Sequence, residues 1–306
     1  MIKMRLPALD GCDGIPVMKI SQELNLSAPF HTRQSELSQL QHVVHLLFPH
    51  TVRIQNITVL SGHVHHLRLL SLSNGLQLVL KSSPSSAISL LHRDRLSLET
   101  EARALALLGQ SANPCIPQLF HYGPQSGSLG AAILLRQYVK GTSLLEMESA
   151  LTPENRKDID RHLGFLVNII GQQVSSTFGS LAKVASGSGS GSWRQSFISL
   201  FEDVLRDAED MYIHLPYGDL REQIHRLGIA LDEIILPRLV IVNLGRPSEV
   251  ILDPELKQLA GIVDLGSALW GDVMMAEVFE SPSDALFDGF GLSPSIGQTQ
   301  SIRLLL

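Results

Sequence analysis

The stretch Ala260-Gly-Ile-Val-Asp264-Leu-Gly-Ser-Ala-Leu-Trp270-Gly-Asp272 decides the fold of this 306-residue chain. The apolar run before Asp264 predicts a short buried strand that ends in a carboxylate. A second carboxylate, Asp272, follows eight residues later, beyond a Trp-Gly turn. Hard divalent cations prefer oxygen ligands, so this layout suits a metal ion held against phosphate oxygens.

The first half of the chain predicts a small sheet with one helix packed on it. Residues 66–72 and 76–81 are two runs in which apolar and polar side chains alternate, and Asn74-Gly75 lies between them. An Asn-Gly pair between two such runs is a strong hairpin signal. Residues 94–108 have the apolar spacing of an amphipathic helix, and residues 133–139 read as a further strand. The order of elements is therefore strand, strand, helix, strand.

Glu101 falls on the apolar stripe of that helix, in register with Leu98, Leu105 and Leu108. Burying a carboxylate alone costs several kcal/mol, so it needs a cationic partner. Lys81, at the end of the preceding strand, is the nearest candidate in chain order. The alternative is a half-exposed Glu101 whose stem merely covers the core.

The second half of the chain is mostly helical. Apolar residues at helical spacing predict three helices there, around residues 159–170, 197–208 and 220–234, the last one stopped by Pro237. Short strands follow at 239–242, 250–252 and 259–263. The pattern predicts an α+β protein in two lobes, divided into an N-terminal extension with one helix, an N-lobe, a C-lobe and a disordered tail (1–51, 52–139, 140–290 and 291–306).

Bulk composition narrows the function classes. The net charge is −6 with Lys and Arg scattered, which argues against a nucleic-acid partner. Cys12 and Cys115 are too few for a disulfide framework, which favours a reducing, cytoplasmic compartment. No signal peptide is predicted, and no apolar run approaches the roughly 20 residues of a membrane helix, so no membrane association is predicted. The oligomeric state is not predictable from the sequence.

Several further segments carry a family resemblance. Taken in order they are Gly189-Ser-Gly-Ser-Trp193-Arg-Gln-Ser-Phe197, Leu215-Pro-Tyr217, Pro237-Arg-Leu-Val240, Asp253-Pro-Glu255 and the stretch from Gly261 to Asp272. Together they make the chain resemble the aminoglycoside phosphotransferase family, the small-molecule branch of the protein-kinase-like fold, and in particular its fungal members. The resemblance covers roughly residues 55–290.

This resemblance implies a set of roles. It implies ATP and Mg²⁺ between two lobes, a small-molecule substrate and a place in secondary metabolism. Lys81 would contact phosphate, Glu101 would hold Lys81, and Gln137 to Val139 would form the segment that joins the lobes. Asp264 would hold Mg²⁺.

The chain departs from the family pattern at the catalytic loop. Where the family has His-x-Asp, this chain has Ile241 and Asn243. The second metal ligand of the family, an Asn, corresponds to Ser248, or to Glu249 if the extra residue before Asp253 is placed earlier. An amide cannot accept a proton from a substrate hydroxyl, and losing a general base typically costs about 10²–10⁴ in rate.

Two function hypotheses therefore stand. One is an ATP- and Mg²⁺-dependent transferase that phosphorylates a small-molecule hydroxyl, with Asn243 positioning the acceptor. The other is a non-catalytic, pseudokinase-type binding or scaffold protein. A local error in the reading frame over residues 241–249 would also leave the flanking pattern intact.

Other chemistries are excluded or disfavoured by missing motifs. No Gly-x-Ser-x-Gly with a downstream acid and His supports a serine hydrolase, and no Gly-x-Gly-x-x-Gly follows a first strand. His63, His65 and His66 form a patch without further ligands nearby, so they are expected to be ordinary strand histidines. The loop that would cover the phosphates has one glycine, Gly62, and so little freedom to wrap them.

Overall fold

The computed structural model describes residues 30–62, 64–84, 90–111, 113–124 and 131–291. The predicted irregular segment before residue 30, His63 and almost all of the predicted disordered tail lie outside the described residues. The helices of the described parts are α1 (Phe30–Leu47), α2 (His92–Arg95), α3 (Ser97–Leu108), α4 (Leu144–Met147), α5 (Pro153–Gly171), α6 (Leu181–Ala185), α7 (Trp193–Asp210), α8 (Tyr217–Leu227) and α9 (Asp284–Phe290). The strands are β1 (Ile54–Leu60), β2 (His66–Leu72), β3 (Gln77–Ser82), β4 (Leu119–Gly123), β5 (Ile133–Gln137), β6 (Thr142–Ser143), β7 (Gly179–Ser180), β8 (Arg238–Ile241), β9 (Val250–Leu252), β10 (Leu259–Ile262) and β11 (Ala268–Gly271).

The N-lobe is a five-stranded antiparallel sheet in the order β1-β2-β3-β5-β4. The predicted hairpin is confirmed: Gly75, with φ of 84°, lies in the turn between β2 and β3, as a residue free of a Cβ readily does. Successive residues of a strand face opposite sides, so the sheet has two different faces. Leu78 and Leu80 of β3 pack in one core cluster with Leu40 and Val44 of α1.

Helix α3 covers the other face of this sheet. Leu98 and Ala102 pack in one small cluster with Leu134 of β5. The predicted helix is divided at its start, where Leu96 separates α2 from α3. Glu101 lies on the buried side of α3 and is completely buried, as its register with the leucines predicts.

The C-lobe is mainly helical and holds the larger core cluster, built around residues of α5, α7, β8 and β11. The predicted helix at 220–234 is α-helical only over α8 and continues as a 3₁₀ helix to Glu233. The lobe also contains two three-stranded sheets, β10-β9-β6 and β7-β11-β8. The predicted α+β class with two lobes is thereby confirmed.

A surface contact joins the two lobes away from the chain connection. Asp207 of α7 accepts hydrogen bonds from the backbone N–H of His92 at 3.0 and 3.1 Å. The His92 ring nitrogen Nδ1 lies 2.5 Å from Oδ1 of the same carboxylate. This contact holds the segment before α3 against the C-lobe.

Within the described part of the chain, no helix is both long and apolar enough to cross a membrane.

We expect Gly164→Ala to destabilise the C-lobe by about 1–3 kcal/mol, because it overpacks the contact between α5 and α9. A Cβ on Gly164 would collide with the backbone carbonyl of Leu286, and backbone cannot move aside as a side chain can. Thermal unfolding measures the effect. Gly218→Ala on α8 is the matched control, because a Cβ there meets nothing within 4 Å. Equal stability of both variants would contradict the packing argument.

Candidate active site

Three charged side chains from distant parts of the sequence meet in the crevice between the lobes. Nζ of Lys81, on β3, lies 2.8 Å from Oε2 of Glu101 on α3. The same Nζ lies 3.0 Å from Oδ1 of Asp264, two residues beyond the end of β10. Lys81 and Glu101 are buried, whereas the Asp264 side chain is 45% exposed. The structure therefore brings together one cation and two carboxylates, with only Asp264 open to solvent.

A fourth charged residue, Arg136, completes this cluster and was not anticipated from the sequence. Its Nε lies 3.2 Å from Oε1 of Glu101, so each oxygen of that carboxylate has its own cation. On neighbouring strands Arg136 is paired with Val79, and Leu134 with Lys81, so all four side chains share one face of the sheet. An arginine within the apolar run of β5, facing a buried glutamate, is the signal that could have indicated it.

The charges in this cluster stabilise one another. Burial alone would lower the pKa of Lys81, but Glu101 and Asp264 together raise that pKa above its usual value. Burial likewise opposes ionisation of Asp264, yet Lys81 and the backbone N–H of Gly266 hold the pKa of this carboxyl below its usual value. Lys81 and Asp264 are therefore both charged at neutral pH.

A local backbone turn aims Asp264 into the crevice. Its φ of 62° lies in the left-handed region, which Asp tolerates better than most residues. Oδ1 of Asp264 accepts from the N–H of Gly266 at 3.2 Å as well as from Lys81. A Cβ on Gly266 would press on Oδ1 of Asp264 and on Ser97 at 3.1 Å, so a small residue is needed there.

Asn243, at the position of the expected catalytic base, is buried and fully hydrogen-bonded. Its Nδ2 donates to Oε2 of Glu249 and, at 3.2 Å, to the backbone carbonyl of Asp264. Its Oδ1 accepts from the hydroxyl of Ser267, whose Oγ also accepts from the Asn243 backbone N–H at 3.1 Å. The amide therefore positions the surrounding loops and leaves Glu249 as the carboxylate nearest to it.

Glu249 is the second carboxylate that faces Asp264 across a small cavity, which Asn243 also lines. Burial and the neighbouring charge of Asp264 raise the pKa of Glu249 to about 8, although Arg246, 3.2 Å away, works against this shift. Ser248 does not line this cavity. Of the two positions considered for a second metal ligand, Glu249 is the one beside Asp264.

We expect Glu249→Gln to stabilise the protein at pH 8 and above. The folded pKa of about 8 exceeds the usual value of 4.5, so the folded state disfavours ionised Glu249. The resulting destabilisation is absent below pH 4.5, grows as pH rises and is complete above pH 8. Allowing for partial solvent screening, the free energy of unfolding of the variant should exceed that of wild type by about 1–2 kcal/mol at high pH. At low pH the two free energies should be almost equal. Thermal unfolding between pH 4 and 9 measures this, with the exposed Glu255→Gln as control. A gain in stability that does not change with pH would contradict the raised pKa of Glu249.

The segment Gln137–Val139 joins the lobes at the back of the crevice. The Gln137 side chain is exposed, and its Oε1 accepts from the backbone N–H of Gln118 at 3.3 Å. Val139 lies beside Gly261, where an added Cβ would come within 3.1 Å of its Cγ1. Val139 therefore packs against β10, the strand that leads to Asp264.

His65 lies between the loop after β1 and the start of α3. Its Nε2 is 3.2 Å from Oγ of Ser97, and the residue is buried, more than the sequence indicated. Burial, together with the positive charge of Lys81, lowers its pKa to about 4, so the ring is neutral at pH 7. In the described residues no group of three or more His, Cys, Asp or Glu is arranged to hold a metal ion.

The carboxylates of Asp264 and Glu249 nevertheless fit a magnesium ion. Mg²⁺ usually takes one or two protein carboxylates and fills its remaining positions with phosphate oxygens and water. Asp264 keeps Oδ2 free of protein hydrogen bonds among the described residues and is the most exposed member of the charged cluster. The donor set suits a hard cation, provided that the phosphates come with it.

Comparison with known proteins identifies the architecture. No protein-family model matches the chain, and no curated protein sequence matches it. Among solved structures, the chain is similar to macrolide 2′-phosphotransferase MphH from Brachybacterium faecium, with 15% identity, TM-score 0.53 and coverage of 87% of this chain and 88% of that one. It is also similar to the ternary complex of APH(2″)-IIa with streptomycin and ATP, with 11% identity, TM-score 0.55 and coverage of 86% and 85%.

A third similar structure is a thermostable mutant of aminoglycoside phosphotransferase APH(4)-Ia in complex with ADP and hygromycin B. It has 14% identity, a TM-score of 0.52 and coverage of 76% of this chain and 72% of that one. At such identities the similarity is one of fold. The fold is that of the kinase-like small-molecule phosphotransferases, as the sequence resemblance predicted.

Proposed function

We propose that this chain belongs to the aminoglycoside phosphotransferase family and binds a nucleoside triphosphate with Mg²⁺ in the crevice between its lobes. We further propose that it transfers the terminal phosphoryl group, slowly, to a hydroxyl of a small molecule. The observation that carries this proposal is the meeting of Lys81, Glu101 and Asp264, which come from three separate elements. ATP is the donor implied by the resemblance, and ATP or ADP accompanies a small molecule in two of the similar structures.

Each charged residue has a definite part in this proposal. Lys81 has three N–H donors and uses two on Glu101 and Asp264, which leaves one for a phosphate oxygen. Glu101 fixes Lys81 in place. Asp264 and Glu249 would hold Mg²⁺, which when bound neutralises charge on the phosphate oxygens.

Asn243 limits the rate that such a site can reach. Its amide has no basic lone pair, so the proton of the acceptor hydroxyl must pass to a phosphate oxygen or to water. Phosphoryl transfer depends chiefly on positioning and electrostatics, so a site without the base keeps part of its activity. The expected deficit is about 10²–10⁴ in rate.

A second candidate function is nucleotide or ligand binding without turnover. The observation that favours it is the saturation of Asn243, whose amide is committed to Glu249, Ser267 and the backbone of Asp264. Such a protein would bind the nucleotide through the charged cluster, and binding would change how its lobes close on each other.

Thermal shift with and without Mg²⁺ tests nucleotide binding, using ATP and GTP separately. We expect wild type to be stabilised by a nucleotide in a Mg²⁺-dependent way and Asp264→Ala to lose that stabilisation. Asp219→Ala, which removes an exposed carboxylate from α8, is the matched control and should behave as wild type. Absence of any nucleotide response in wild type would reject the proposal. Release of phosphate by the nucleotide-bound wild type then separates slow transfer from binding alone.

A further inference from the structure

We infer that Arg136 makes the nucleotide site selective for a 6-oxopurine base, such as guanine or hypoxanthine, over the 6-aminopurine adenine. This inference rests on the proposed nucleotide-binding function and concerns the base end of the same crevice. Arg136 pairs with the buried Glu101, but it is not required for any step of phosphoryl transfer, and its remaining donors have no role in the mechanism above.

The sheet register places Arg136 where the base would lie. Gln137 is paired with Leu78, three residues along β3 from Lys81, and Arg136 is paired with Val79. At a rise of about 3.3 Å per residue, the connecting segment is roughly 10 Å from the phosphate-binding end at Lys81. A nucleotide that keeps its phosphates at Lys81 and lies along this face brings its base toward Arg136 and Gln137.

The hydrogen bonds of Arg136 determine what a base would meet there. Nη1 donates to the backbone carbonyl of Gln137 at 3.1 Å, so this carbonyl already has a donor. Nε donates to Glu101. The guanidinium has five N–H donors, so three remain, one on Nη1 and two on Nη2.

Part of the Arg136 guanidinium is not enclosed by protein, although the residue is buried. Among the described residues, only one fully buried side-chain nitrogen or oxygen has no hydrogen-bond partner, and this is Nε1 of Trp193. Nη2 of Arg136, which has none either, therefore retains contact with solvent. Arg136 is also linked to Asp264, the exposed member of the cluster, through Glu101 and Lys81.

The backbone of the connecting segment adds a further donor. The N–H groups of Gln137 and Tyr138 are used by Gln118 and Gln77, whereas that of Val139 has no acceptor among the described residues. A base bound here therefore faces the free N–H of Val139 and the fork of Arg136. A 6-oxopurine offers two adjacent acceptors, O6 and N7, which an arginine fork binds with two hydrogen bonds. Adenine instead has an amino group, N6, at the 6-position. This donor would face the donors of Arg136, so no hydrogen bond could form there.

Binding of ATP and ITP tests the inference, because the two purines differ at the 6-position. We expect titration calorimetry on the wild-type protein with Mg²⁺ to give ITP about 10-fold or more tighter binding than ATP. Arg136→Met removes the donors and should abolish this preference. Arg136→Gln should reverse it, since an amide pairs with N6 and N7 of adenine.

The ratio of the two affinities within each variant is the readout, so a general loss of stability does not imitate the effect. Equal or tighter binding of ATP by wild type overturns the inference and leaves the proposed function intact. A preference for ITP that survives in both variants also overturns it. If neither nucleotide binds wild type, the proposed function falls, and the inference falls with it.

Discussion

The double variant Asn243→Asp with Glu249→Gln is expected to hydrolyse its bound nucleotide about 10²–10⁴ times faster than wild type. In wild type the amide at position 243 donates to the carboxylate of Glu249. The double variant exchanges these two groups, so that the amide at 249 donates to a carboxylate at 243. The carboxylate then occupies the position from which the family removes the acceptor proton, and the hydrogen bond that fixes the loop is kept. Steady-state phosphate release measures the rate.

The single variants provide the controls for this exchange. Asn243→Asp alone places a new carboxylate close to the ionised Asp264 and removes the amide donor to the Asp264 carbonyl, so we expect a smaller gain with lower thermal stability. Glu249→Gln alone adds no base and should not accelerate hydrolysis. If the double variant binds nucleotide yet is no faster than wild type, the Asn243–Glu249 pair does not limit the rate of hydrolysis.

Glu101→Ala is expected to have the largest effect on stability, about 3–5 kcal/mol of the free energy of unfolding. Glu101 is completely buried, and its removal leaves the buried cations Lys81 and Arg136 without their shared carboxylate. Differential scanning calorimetry should show a fall in Tm of about 6 °C or more.

Glu99→Ala on the same helix is the control for Glu101→Ala. Glu99 is a partly exposed carboxylate that pairs with Arg103 at i+4 with a distance of 2.7 Å, and such pairs contribute about 0.3–0.5 kcal/mol. A fall in Tm no larger than that of Glu99→Ala would mean that the buried cluster does not depend on Glu101.

The fold was largely predictable because local patterns and chain order both point to it. Asn74-Gly75 predicts the hairpin, and the leucine stripe around Glu101 predicts both α3 and the burial of its carboxylate. Helix ends were less predictable: the 220–234 pattern keeps its apolar period while the backbone tightens to a 3₁₀ helix after Leu227. Periodicity of apolar residues does not distinguish these two helical forms over a segment of six residues.

The candidate site was predictable where one residue pairs with another of opposite charge. Lys81 and Glu101 could be inferred because a carboxylate on an apolar stripe requires a cation. Arg136 was not inferred, although an arginine inside the apolar run of β5 was a signal, because its partner Glu101 already had one cation. The choice between Ser248 and Glu249 depended on the placement of one extra residue, which a sequence without spatial contacts leaves undecided.

The contact between His92 and Asp207 has a kinetic consequence. Besides the Lys81–Asp264 pair, the lobes are joined by the chain at residues 137–139 and by this surface pair. A ligand that enters or leaves by separation of the lobes must first break it. The Asp207 carboxylate accepts charge-assisted hydrogen bonds at the surface, and these weaken as salt screens the charge. The residence time of a bound molecule should therefore shorten as ionic strength rises, even when its direct contacts stay the same.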